Sequence, residues 1–133
     1  MRSLVRRGAL LLLAAAAAAA TSGCDCKAIL TPTRTDPADV TFTVAGGGGL
    51  CGDTAFIGTI EAYRGPKFEH VWQVEFPGKE PPALKSLTYG RVPQGFVEKK
   101  QAAPLAAGDE LYVNVYGPGY RGKVHVVVGK PAS

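Results

Sequence analysis

The parity of the last strand pair constrains this fold more than any other feature of the chain. Leu111, Val113 and Val115 fall on alternate positions, Val124, Val126 and Val128 do so again, and the loop Gly117–Gly122 lies between the two runs. A period of two is that of a β-strand, whose successive side chains point to opposite faces. Slipping the pairing by one residue would turn three valines into water, so the register is well specified. With the apolar set facing inward, Tyr112, Asn114, Tyr116, Lys123, His125 and Val127 face outward.

The same signature recurs upstream. Val40, Phe42 and Val44 alternate with threonines, and the run Gly46–Gly49 ends that strand in a turn. That run is not a phosphate loop, because the Gly-Lys-Ser/Thr ending and the following helix are missing. Residues 54–63 form a second apolar strand in which Gly58 marks a bulge or a close backbone approach. Between His70 and Phe76, the residues His70, Trp72, Val74 and Phe76 share one face, with Trp72 expected at the centre of the core. Shorter strands follow at 84–89 and 96–100, around the turn Val92-Pro93-Gln94-Gly95. About seven short strands with no helix-period segment predict an all-β, antiparallel β-sandwich. Residues 24–37, broken by Pro32 and Pro37, read as a tether, with Ala28, Ile29 and Leu30 available as an edge segment, and the domain proper spans 38–133. Leu105, Gly108, Leu111, Val113 and Val115 follow the spacing that leads into the penultimate strand of fibronectin type III domains, with Leu111 at the place of that family's corner tyrosine. The resemblance implies an immunoglobulin/fibronectin III-like sandwich.

The first 23 residues have the three zones of a signal peptide: the basic stretch MRSLVRRG, an apolar run from Ala9 to Ala20, and the small residues Thr21, Ser22 and Gly23. The apolar run is shorter than the roughly 20 residues that a spanning helix needs. Thr21-Ser22-Gly23-Cys24 resembles the lipobox of bacterial lipoproteins, also found in small envelope lipoproteins with a similar arrangement of strands. That resemblance implies cleavage before Cys24, a lipid anchor on Cys24, and placement in the cell envelope facing the periplasm or the cell surface. Cleavage after one of the alanines is the alternative, and leaves a soluble periplasmic or secreted protein. If Cys24 carries lipid, Cys26 and Cys51 remain as a pair in an oxidising compartment, and a disulfide between them is expected. The leader also holds Arg2, Arg6 and Arg7, three of the fifteen basic residues and none of the eleven acidic ones, so the remainder carries a net charge of +1. Its charges are interspersed, without the basic stripe of a nucleic-acid binder.

Sets of residues that carry chemistry are sparse. Ser86 has no Gly-x-Ser-x-Gly elbow around it, and His70 and His125 belong to no His-x-His or Cys-x-x-Cys pattern. No catalytic residues, metal or cofactor are therefore expected. The run Tyr116-Gly-Pro-Gly-Tyr120-Arg121-Gly122, with Tyr112 on the outer face, has the composition of a binding surface, since tyrosine and arginine dominate interaction hot spots. Tyr112, Tyr116, Tyr120 and Arg121 are the candidate binding residues. The expected function is that of a non-catalytic binding or assembly module, held to the membrane by Cys24 and acting on a protein partner in the envelope. The alternative is an inhibitor or immunity lipoprotein directed at a lytic enzyme or toxin.

Overall fold

The computed structural model describes residues 25–131. The leader at 1–23 and the acceptor Cys24 lie outside them. Ten strands form among the described residues: β1 Cys26–Asp36, β2 Asp39–Gly46, β3 Ala55–Phe56, β4 Thr59–Arg64, β5 Glu69–Glu75, β6 Ala83–Leu84, β7 Ser86–Thr88, β8 Val97–Lys100, β9 Glu110–Gly117 and β10 Tyr120–Val127. Eight of them build one mostly antiparallel sheet in the order β7-β2-β1-β10-β9-β4-β5-β8, which curls into a half-barrel of the β-sandwich type, while β3 and β6 form a separate ribbon.

The tether reading of residues 24–37 does not survive. Cys26–Asp36 is the longest strand and sits in the middle of the sheet, with Ala28 and Leu30 buried. Pro32 conceals the strand because it stands beside a bulge between Pro32 and Arg34, which moves the inward position from Arg34 to Thr35 and breaks the alternation. Pro37 lies in the two-residue turn between the paired Asp36 and Asp39.

β1 is the one strand that reaches both halves of the curl. It pairs antiparallel with β2 from Ala28–Gly46 to Asp36–Asp39, and parallel with β10 at Cys26–Tyr120 and Lys27–Arg121. At its far end the Gly129 amide donates to the Thr35 carbonyl at 2.6 Å, and the Thr35 hydroxyl donates to the Lys130 carbonyl. Buried Thr35 therefore keeps its polar atoms satisfied. The close passage at the other end depends on Gly122, where a Cβ would lie 2.3 Å from the Ala28 carbonyl oxygen.

The curl closes over a single core that includes Val40, Phe42 and Val44 of β2, Ile60 and Ala62 of β4, and Leu111, Val113 and Val115 of β9. The final hairpin has the register that parity demands, with Val113 opposite Val124 and Leu111 opposite Val126, around a turn of only Pro118 and Gly119. Trp72 is fully buried, its ring set edgewise on Tyr89 at 5.3 Å and its indole N–H donating to Glu98 at 3.1 Å. The Tyr89 hydroxyl donates to the carbonyls of Ala103 (2.8 Å) and Val71 (3.3 Å), and burial pushes its ionisation up to about 12. His70 departs from the face expected for it. A bulge where Tyr63 follows Ala62 pairs Tyr63 with His70, so Val71 and Trp72 are both buried and His70 turns outward.

The expected disulfide forms between Cys26 and Cys51, with Cα atoms 5.6 Å apart and a sequence separation of 25. It pins the loop between β2 and β3 to the start of β1. A second tie is the Tyr120 hydroxyl, which donates to the Cys51 carbonyl at 2.7 Å. Cross-linking a loop of this length restricts the unfolded chain by about 3.5 kcal/mol. The double substitution Cys26→Ser/Cys51→Ser is expected to lower the free energy of unfolding by about 3 kcal/mol, read from urea denaturation, with a steeper slope because the unfolded chain is freed to expand.

Candidate functional site

The outer face of the β10-β9-β4-β5 half carries the side chains that the core does not use. Inward Ile60 and Ala62 alternate with outward Thr59, Glu61 and Tyr63 along β4, and Tyr112, Asn114 and Tyr116 do the same along β9. Pairing across the strands then sets these residues in rows. His70, Tyr63, Tyr112 and His125 form one row over four strands, and Thr59, Tyr116 and Arg121 form another. Paired positions lie about 5 Å apart, the spacing at which rings stack.

In the first row the Tyr63 and His70 rings stack at 5.0 Å, and those of Tyr112 and His125 at 4.4 Å with planes 12° apart. Phe68, from the β4–β5 turn, leans its ring onto Tyr112 at 4.8 Å. Glu110 brings a carboxylate oxygen to 3.6 Å from His125 Nε2. The Tyr63 hydroxyl donates to Glu61 at 3.1 Å, and its ionisation is raised first by burial and then by that carboxylate. At the same end Arg64 donates to both oxygens of Glu69 and to the Pro104 carbonyl.

Phe68 stands out in two ways. It is 59% exposed, and it is the described non-glycine residue with a positive φ, at +54°. A bulky side chain in that region costs on the order of 1–2 kcal/mol. Phe68 is not part of the core, and its ring packs against Tyr112 on the outer face.

The four sequence-selected binding residues separate. Tyr112 joins the histidine row. Tyr116 and Arg121 lie at the other end of the same face, the guanidinium carbon 6.0 Å from the Tyr116 ring centre. They help to line a groove of about 670 Å³ with Asp25, Lys27, Asn114 and Lys123. Tyr120, one step along the strand from Arg121, points to the opposite side, its ring 6.0 Å from that of Phe56 and its hydroxyl on the disulfide loop. It braces the structure and does not belong to the outer face. Tyr63, His70, His125 and Phe68 are the residues that sequence reasoning left out of the set. The alternation of β4 around Ile60 and Ala62 is a signal for Tyr63, whereas the turn conformation that lifts Phe68 has none.

As for chemistry, Ser86 is on β7, paired with Thr43, while the two histidines are on β5 and β10. Among the described residues no three His, Cys, Asp or Glu side chains come together as a metal ion requires. Comparison with protein-family models, with curated proteins and with solved structures yields no match to this chain.

If Phe68 is held for contact and not for folding, Phe68→Gly relieves the backbone strain while giving up the contact with Tyr112. The unfolding free energy should then stay within about 1 kcal/mol of the parent in urea denaturation. A loss above about 2 kcal/mol would make the ring a structural element.

Proposed function

We propose that this chain is a lipid-anchored envelope protein that works by contact, presenting the aromatic row around Tyr112 to a protein partner. The carrying observation is Phe68, an exposed ring kept in an unfavourable backbone conformation at the edge of a stacked set. Aromatic side chains that lie outside a core and are already ordered offer contact area at little entropic cost, as binding hot spots do.

The two ends of the domain suit that role. The Gly65 amide donates to the Glu110 carbonyl, which places the β4–β5 turn and the aromatic row together at one end. The Cys26 amide donates to the Gly119 carbonyl, so the start of β1, next in sequence to the anchor at Cys24, is at the other. The eight residues of β9 run between them, roughly 20 Å. An anchor at Cys24 would thus leave the aromatic row on the part of the outer face remote from the membrane.

The fold reading that goes with this is an immunoglobulin/fibronectin III-like sandwich. It is supported by β2 lying between β1 and β7, and β9 between β10 and β4, the neighbours found in the two sheets of that architecture.

A photo-reactive residue at Lys67, beside Phe68, is expected to capture a discrete envelope protein in intact cells. The same residue at Thr33, exposed on β1, should not. Replacing Tyr112 and His125 together by Ser should weaken the capture about tenfold. Equal capture from both positions, or capture indifferent to that pair, would remove the row from the account. A captured lytic enzyme or toxin would make the contact an inhibitory one.

A further inference from the structure

The end of the domain opposite the aromatic row carries a second set of unusual residues. Leu50 is the tip of the loop between β2 and β3, in a 3₁₀ turn spanning Gly49–Cys51, and its side chain is fully exposed. An apolar side chain wholly in water is seldom braced, yet this one is. The next residue is bonded to Cys26, the Gly48 amide donates to the Gly52 carbonyl at 2.9 Å, and Tyr120 holds the Cys51 carbonyl. Gly47 of the same loop lies so close to β1 that a Cβ on it would be 3.3 Å from the Lys27 carbonyl oxygen.

At the same end, but on the outer face of the sheet and not on the side of the disulfide loop, opens the groove of about 670 Å³. The cations Lys27, Arg121 and Lys123 line it, against a single lining carboxylate, Asp25, with Glu61 and Glu75 further along the cross-strand rows of Lys123 and Arg121. Asp25, the first described residue, lines the groove, and Cys24 precedes it directly in sequence. The occupant must therefore be something that the anchor itself brings close, anionic on its surface and apolar beneath.

We infer that this end is a membrane-contact surface: the groove receives the anionic headgroup of a phospholipid, and Leu50 enters the boundary between headgroups and acyl chains of the membrane that holds Cys24. The inference rests on the anchor reading given above. A few basic residues near an anionic surface and a single leucine add only modest membrane affinity, so the contact orients a domain already tethered and does not replace the tether. A fixed orientation is what keeps the aromatic row pointed outward.

The test uses the full-length protein, exported, processed and reconstituted into vesicles with bromine on the acyl chains, made either of phosphatidylglycerol or of phosphatidylcholine. Leu50→Trp supplies a reporter at a fully exposed position, and buried Trp72 contributes a constant background. In phosphatidylglycerol the reporter's emission is expected to shift to the blue and to be quenched about twofold. Phe68→Trp, at the far end, should show neither change. Exchanging Lys27, Arg121 and Lys123 together for Gln should reduce the quenching to the level seen in phosphatidylcholine. A reporter that stays water-exposed while the protein floats with the vesicles would overturn the inference and leave the anchor standing. Protein that does not float removes the anchor reading, and this inference with it.

Discussion

The structure depends on one strand being shared between the two halves of a curled sheet. β1 is hydrogen-bonded to β2 along most of its length and to β10 at its first residues, and it rejoins the chain beyond β10 through Thr35. Each backbone donor and acceptor buried in a sheet must find a partner, so a strand serving two neighbours ties their positions together. Without it, β2 and β7 on one side and β10, β9, β4 and β5 on the other would be two open sheets with exposed edges. The disulfide reinforces this arrangement at its weakest place, where the parallel pairing with β10 is shortest.

That constraint also explains what could be read from sequence. The last hairpin was legible because its six alternating apolar residues leave one register that turns them all to the core, five buried and Val124 partly so. Trp72 was legible for a similar reason, as a large ring among apolar neighbours. The central strand β1 was not, since Pro32 and the adjacent bulge erase the period-two signal that Ala28 and Leu30 begin. A second bulge, beside Tyr63, reversed the side on which His70 was expected. Bulges add a residue to one strand only, and pattern reading has no means of placing them before the partner strand is known.

The candidate surface was partly legible. Outward parity found Tyr112 and Tyr116, while Tyr120 and Arg121 were drawn in together from the loop run, and of those two only Arg121 lies on the outer face. What the sequence could not supply is the distribution of these residues between two ends of the domain. Rows across strands are set by register, and register joins residues as distant in sequence as Tyr63 and His125 through Tyr112. The result is an asymmetric object: stacked rings and histidines lie towards one end, and an exposed leucine on a braced loop lies at the other. An object built this way has a preferred direction, and a lipid at Cys24 would give that direction a meaning in the envelope.

The central claim, that Cys24 is the anchored terminus, is tested most directly by the intact mass of the protein isolated from membranes of its own cells. The account predicts the mass of residues 24–133, increased by a lipid moiety and lowered by the two hydrogens lost in the Cys26–Cys51 disulfide. A chain cut among the alanines before Thr21, with no added lipid, would contradict it.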